Sequence, residues 1–82
     1  MVTKHEAELA IAVEHVARAK IIVSEQRQRI ANLKAKGYAI DMHEKTLRMF
    51  ELTLHSLEDH ERLLREFVAD ERRPVPQRTR FS

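Results

Sequence analysis

The sequence predicts an all-α protein built as two long antiparallel helices, a helical hairpin. Gly37 is the only glycine in the 82 residues, and proline occurs only at Pro74 and Pro76. The two stretches flanking Gly37, each roughly thirty residues long, therefore contain no helix breaker. Both carry apolar residues at seven-residue spacing, the signature of a helix that buries one seam. A charged fraction of 34% with only 5% aromatics is the composition of long helices and coiled coils.

The first helix is expected over about residues 4–36. Thr3-Lys4-His5-Glu6 fits a capping box, in which Thr3 accepts from the amide of Glu6 and Glu6 reaches back to that of Thr3. Leu9, Val16, Val23 and Ile30 recur every seven residues, each followed three residues later by Ala12, Ala19, Gln26 and Leu33. The second line is mostly small or polar, so a facing helix can approach closely near Ala12 and Ala19. A strict seven-residue repeat predicts a left-handed supercoil. Ile11 and Ile22 widen the stripe on one side, and Ala10, Ala17 and Ile21 form a weaker apolar patch away from it.

The turn is expected at 37–40. Glycine takes the left-handed conformation without a Cβ clash, and Lys34 and Lys36 suit the negative end of the helix dipole. Leu33 and Tyr38 then fall at the two positions that a Schellman stop brings together. Asp41 is expected to cap the second helix, with Glu44 three residues on.

The second helix is expected over about 41–72. Ile40, Leu47, Leu54 and Glu61 form one line of its seam; His43, Phe50, Leu57, Leu64 and Val68 form the other. A turn centred between Tyr38 and Ala39 sets position i opposite roughly 77 minus i. That register brings Ile30 near Leu47, Val23 near Leu54 and Leu9 near Val68, and pairs Lys34 with Glu44, Arg27 with Glu51 and Lys20 with Glu58. Such pairs contribute ~0.2–1 kcal/mol each when exposed, so they select register more than they add stability. Gln26 and Glu61 break the apolar lines and are expected to fix register and oligomeric state. A second apolar set, Met42, Met49, Leu52, Leu63 and Phe67, is read onto the side away from the seam. One hairpin cannot cover it, and a chain this small has little core of its own. The expected solution is a homodimer whose two hairpins form a four-helix bundle, with these five residues at the interface.

Residues 1–73 thus form the hairpin, and 74–82 are expected to be a flexible basic tail. Residues 1–71 carry 11 Lys and Arg against 13 Asp and Glu, whereas 72–82 carry Arg72, Arg73, Arg78 and Arg80 and no acid. Those four arginines are the candidate nucleic-acid contacts. With neither cysteine nor an apolar run long enough for a signal peptide or a membrane span, the sequence suggests a cytoplasmic protein held together without disulfides.

Catalytic and cofactor motifs are missing. Ser24, Ser56 and Ser82 lack a nucleophile-elbow context, and one glycine cannot build a phosphate loop. The histidines, His5, His15, His43, His55 and His60, include no pair three or four residues apart and no Glu-x-x-His. His15 and His43 are expected at the boundary of the seam. A metal site assembled between subunits around His55, Asp59 and His60 is the remaining metal hypothesis. The expectation is no cofactor and no enzyme.

His15-Val16-Ala17, Gln26-Arg27-Gln28-Arg29-Ile30, Leu33, Gly37 and the Leu47/Phe50/Leu54/Leu57 ladder resemble small uncharacterised helical-hairpin proteins of alphaproteobacteria. The resemblance spans about residues 9–68; it implies a bacterial cytoplasmic protein and no particular activity. The functional expectation is a non-enzymatic oligomerisation or protein-interaction module. The alternatives are a small RNA- or DNA-binding regulator that uses the basic tail, as plasmid-copy-number proteins of similar architecture bind RNA, and a metal-binding bundle.

Overall fold

The computed structural model describes residues 2–73, and the nine-residue tail at 74–82 lies outside the described residues. Helix α1 spans Lys4–Ala35 and helix α2 spans Asp41–Arg72. Each has 32 residues, hence a length of about 48 Å. They pack along each other as a helical hairpin with no strand among the described residues. No described helix is long and apolar enough to cross a membrane.

The caps of α1 follow from its end residues. Thr3 is extended, its Oγ1 accepts from the Glu6 amide at 3.1 Å, and the Thr3 amide donates to Glu6 Oε1 at 2.9 Å. Two of the amides that every helix start leaves unpaired are thereby satisfied. At the other end Gly37 has φ +81°. Its amide donates to the Lys34 carbonyl at 3.1 Å, and the Tyr38 amide donates to the Leu33 carbonyl at 3.0 Å. Those two bonds define the Schellman motif expected from the sequence.

The start of α2 differs from expectation. Ile40, not Asp41, is the capping residue, and no side chain caps the helix. The Glu44 amide donates to the Ile40 carbonyl at 2.8 Å, which puts Asp41 inside the first turn. Ile40 is half-buried at the head of the seam, so packing sets the entry into the helix. Asp41 and Glu44 still place negative charge at the positive end of the helix dipole. At the far end Arg73 is extended with ψ 135°, the geometry favoured before a proline.

The expected seam is the one that is buried. Ala12, Val16, Ala19 and Val23 of α1 and Leu64 and Val68 of α2 form the core, with Leu9, Ile30, Leu33, Ile40, Leu47, Phe50, Leu54 and Leu57 half-buried around them. No side chain among the described residues is completely enclosed, because a two-helix layer leaves every residue an open edge.

The register is tighter than a single offset from the turn. Gln26, only 3% exposed, donates from Nε2 to the His43 carbonyl at 2.9 Å. The 77-minus-i rule would put residue 51 there instead. A helical carbonyl points toward the C-terminus, so this bond sets Gln26 about level with Leu47. Core side chains therefore interleave, the first line of one helix against the second line of the other, as in antiparallel heptad packing. The longer offset holds only at the flank, where Arg27 meets Glu51 at 2.8 Å. Lys34–Glu44 and Lys20–Glu58 do not close to within bonding distance among the described residues; Glu58 lies 4.0 Å from His55 instead. Exposed lysines lose side-chain entropy on pairing, and that cost cancels most of the gain.

Candidate interaction surface

The two sides of the hairpin differ in chemistry. On one side the helices are joined by ion pairs, Arg27 with Glu51 and Glu6 with Arg72. Glu6 and Arg27 occupy the same heptad position, immediately after the small-residue line. On the other side Glu8, Ile11, Ala12 and His15 of α1 and His60 of α2 line a shallow groove of about 190 Å³. The groove exists because Ala12 supplies too little bulk to fill the space before the facing helix.

The candidate interface residues lie on the groove side and the outer surface of α2. Met42 is 70% exposed, Met49 63%, Leu52 65%, Leu63 47% and Phe67 41%. Phe67, one heptad beyond His60, does not stand clear of α1: its ring lies 5.2 Å from that of His5, inclined by 34°. On α1, Ile11, Ile21 and Ile22 are also exposed. Heptad position puts Ile11 and Ile22 on the groove side, so the uncovered apolar surface spans both helices.

The open end of the hairpin carries a clasp that local motifs did not announce. The Thr3 hydroxyl donates to Glu71 Oε1 at 3.0 Å, and His5 Nδ1 meets the other oxygen of the same carboxylate. Arg72 Nε donates to Glu6 Oε2 at 3.0 Å, while that carboxylate also serves the capping box. Hydrogen bonding from the Thr3 backbone, then Arg72, holds the Glu6 carboxyl below its ordinary range. Hydrogen bonding to His5, then Thr3, does the same for Glu71.

The polar seam residues have partners. Gln26 Oε1 accepts from Arg29 at 3.1 Å while its amide holds the His43 carbonyl, so the buried group is satisfied at both ends. Glu61 sits at the seam's edge and pairs with Arg65 at 2.7 Å.

Only two of the five histidines share a site. His5 belongs to the clasp, His15 and His60 line the groove, His43 is half-buried beside the seam, and His55 is exposed. Asp59 is bonded to Arg62 at 2.7 Å. No cluster of three or more His, Asp or Glu side chains suited to a metal ion occurs among the described residues. Of the four candidate nucleic-acid arginines, Arg72 is engaged by Glu6 and Arg73 by Asp70 at 3.4 Å. Arg78 and Arg80 lie outside the described residues.

Fold and surface together define a helical hairpin with one ion-paired side and one uncovered apolar side. No family model, curated protein or solved structure matches the chain.

Proposed function

We propose that this chain is an oligomerisation and protein-interaction module that acts without catalysis, as a homodimer in which two hairpins form a four-helix bundle. The observation that carries this reading is the exposure of Met42, Met49, Leu52 and Leu63 along one helix whose opposite seam is already occupied. Complete burial of a large apolar side chain yields about 1.5–3 kcal/mol. At the exposed fractions observed, including that of Phe67, on the order of 6 kcal/mol per protomer is unrealised in the monomer. A second copy supplies the complementary surface in equal amount and at equal concentration. The resemblance to small alphaproteobacterial hairpins favours a bacterial cytoplasmic setting for this assembly.

The test is solution mass by light scattering over a range of concentrations, for the native chain and for the Leu52→Glu, Leu63→Glu double variant. The proposal expects a dimer that the variant splits without loss of helicity. A native chain that stays monomeric would turn this face into a docking site for a different protein and end the homodimer reading.

A further inference from the structure

We propose that two copies associate through α2 in antiparallel orientation, with the two-fold axis passing beside Leu52; this rests on the homodimer reading and seats the two α2 helices together at the middle of the four-helix assembly, with each α1 on the outside. The outer surface of α2 carries two lines at heptad spacing. One is Met42, Met49, Ser56 and Leu63; the other is Lys45, Leu52, Asp59 and Glu66. All eight lie on the helix that carries the exposed apolar face, and Met42, Met49, Leu52 and Leu63 are its exposed apolar members.

A two-fold interface is self-complementary: if residue i meets j, then j meets i. With the axis along the helices, each residue would meet its own copy. Lys45 would face Lys45, Asp59 would face Asp59 and Glu66 would face Glu66, three like-charge oppositions on one short surface. Reversing one helix removes them, and the choice of centre then decides the pairings.

With the centre at Leu52, that residue packs on its own copy at the axis. Lys45 and Asp59 lie seven residues to either side of it, so each meets its opposite charge twice over. Asp59 uses Oδ1 for Arg62, and its second oxygen is available to the partner's Lys45. Met42, ten residues before the axis, meets the partner's Leu63, eleven residues after it. Met49 falls beside the small partner's Ser56, which leaves room for a flexible thioether. Phe67 comes level with the partner's turn, where Tyr38 is exposed. Centring on Ser56 instead pairs Met49 with Leu63 and Lys45 with Glu66 but sets Leu52, the middle of the apolar face, against Asp59 and Met42 against Asp70, apolar on charge in both cases.

The area is sufficient. Taking about 200 Å² for a fully exposed large side chain, the five candidate residues offer about 1,100 Å² of surface from two copies. Interfaces are about 60% apolar, so this corresponds to about 1,800 Å² in all, within the range of stable, specific dimers.

The chain contains no cysteine, so single-cysteine variants report one contact each. Leu52→Cys, Met42→Cys and Leu63→Cys are oxidised, or joined with a short bismaleimide, at a fixed concentration. Covalent dimer is read on a denaturing gel, and mass by light scattering before linking. The proposal expects Leu52→Cys to link to itself and Met42→Cys and Leu63→Cys each to link at least tenfold less. An equimolar mixture of the latter two should link to one another. Dimeric mass with self-linking at Met42→Cys and Leu63→Cys, or without linking at Leu52→Cys, overturns the antiparallel register and leaves the homodimer standing. Monomeric mass for all three variants and the native chain overturns both.

Discussion

Gln26 offers the sharpest test of how the seam is held. It is buried in an apolar line, donates to the His43 carbonyl and accepts from Arg29. Gln26→Ala removes both bonds, one buried methylene and the carboxamide itself. At about 1 kcal/mol net for each hydrogen bond and about 0.8 kcal/mol for the methylene, the expected loss is about 2–3 kcal/mol. Gln26→Leu removes the same bonds but keeps the volume and buries an apolar branch. It strands nothing, because the His43 carbonyl retains its place in the helix ladder and Arg29 is exposed. The Leu variant should therefore lie within about 1 kcal/mol of the native chain. The assay is urea unfolding followed by helical circular dichroism, with all three proteins at one concentration so that the proposed self-association would affect them equally. Equal losses for Leu and Ala would refute the reasoning, since the polar head itself would then be what the seam requires.

Other perturbations bear on the caps, the clasp and the groove. Gly37→Ala should cost about 1–2 kcal/mol from the left-handed backbone alone, since a Cβ there meets nothing within 4 Å; thermal melting should show Gly37→Asn in between. Glu6 and Glu71 have carboxyl groups held below the ordinary value of 4.5 by folding. Their contribution is present above the unfolded value and lost as pH falls through the lower folded one, so Glu71→Gln should flatten the acid limb of stability, most visibly below about pH 5. Zinc at one equivalent should leave the melting temperature unchanged, since His55, Asp59 and His60 do not come together as a three-ligand cluster among the described residues.

Where the chain's physics is local, the sequence disclosed it. Thr3 and Glu6, three residues apart, predict a capping box that the backbone forms. Gly37 after a lysine-rich turn predicts the left-handed stop, and heptad spacing predicts which residues are buried. The departures occur where two distant segments compete. Asp41 has the chemistry of a cap, but Ile40 is drawn into the seam and enters the helix first. The clasp joins His5 to Glu71 and Glu6 to Arg72, pairs 66 residues apart that only the register brings together. Phe67 has the exposure of an interface residue yet finds the His5 ring, for the same reason. The Gln26 bond shows that seam and flank follow different offsets, which a single mirror rule about the turn does not contain.

On the proposed reading, one hairpin is an incomplete unit that a second copy completes. The most direct measurement is the melting temperature as a function of chain concentration, over two orders of magnitude. For a folded unit that is a dimer, dissociation and unfolding are coupled, and the melting temperature should climb steadily with concentration. The Leu52→Glu, Leu63→Glu variant should lose that dependence while remaining helical at low temperature. A native melting temperature independent of concentration, with monomeric mass at the highest concentration, would contradict the account.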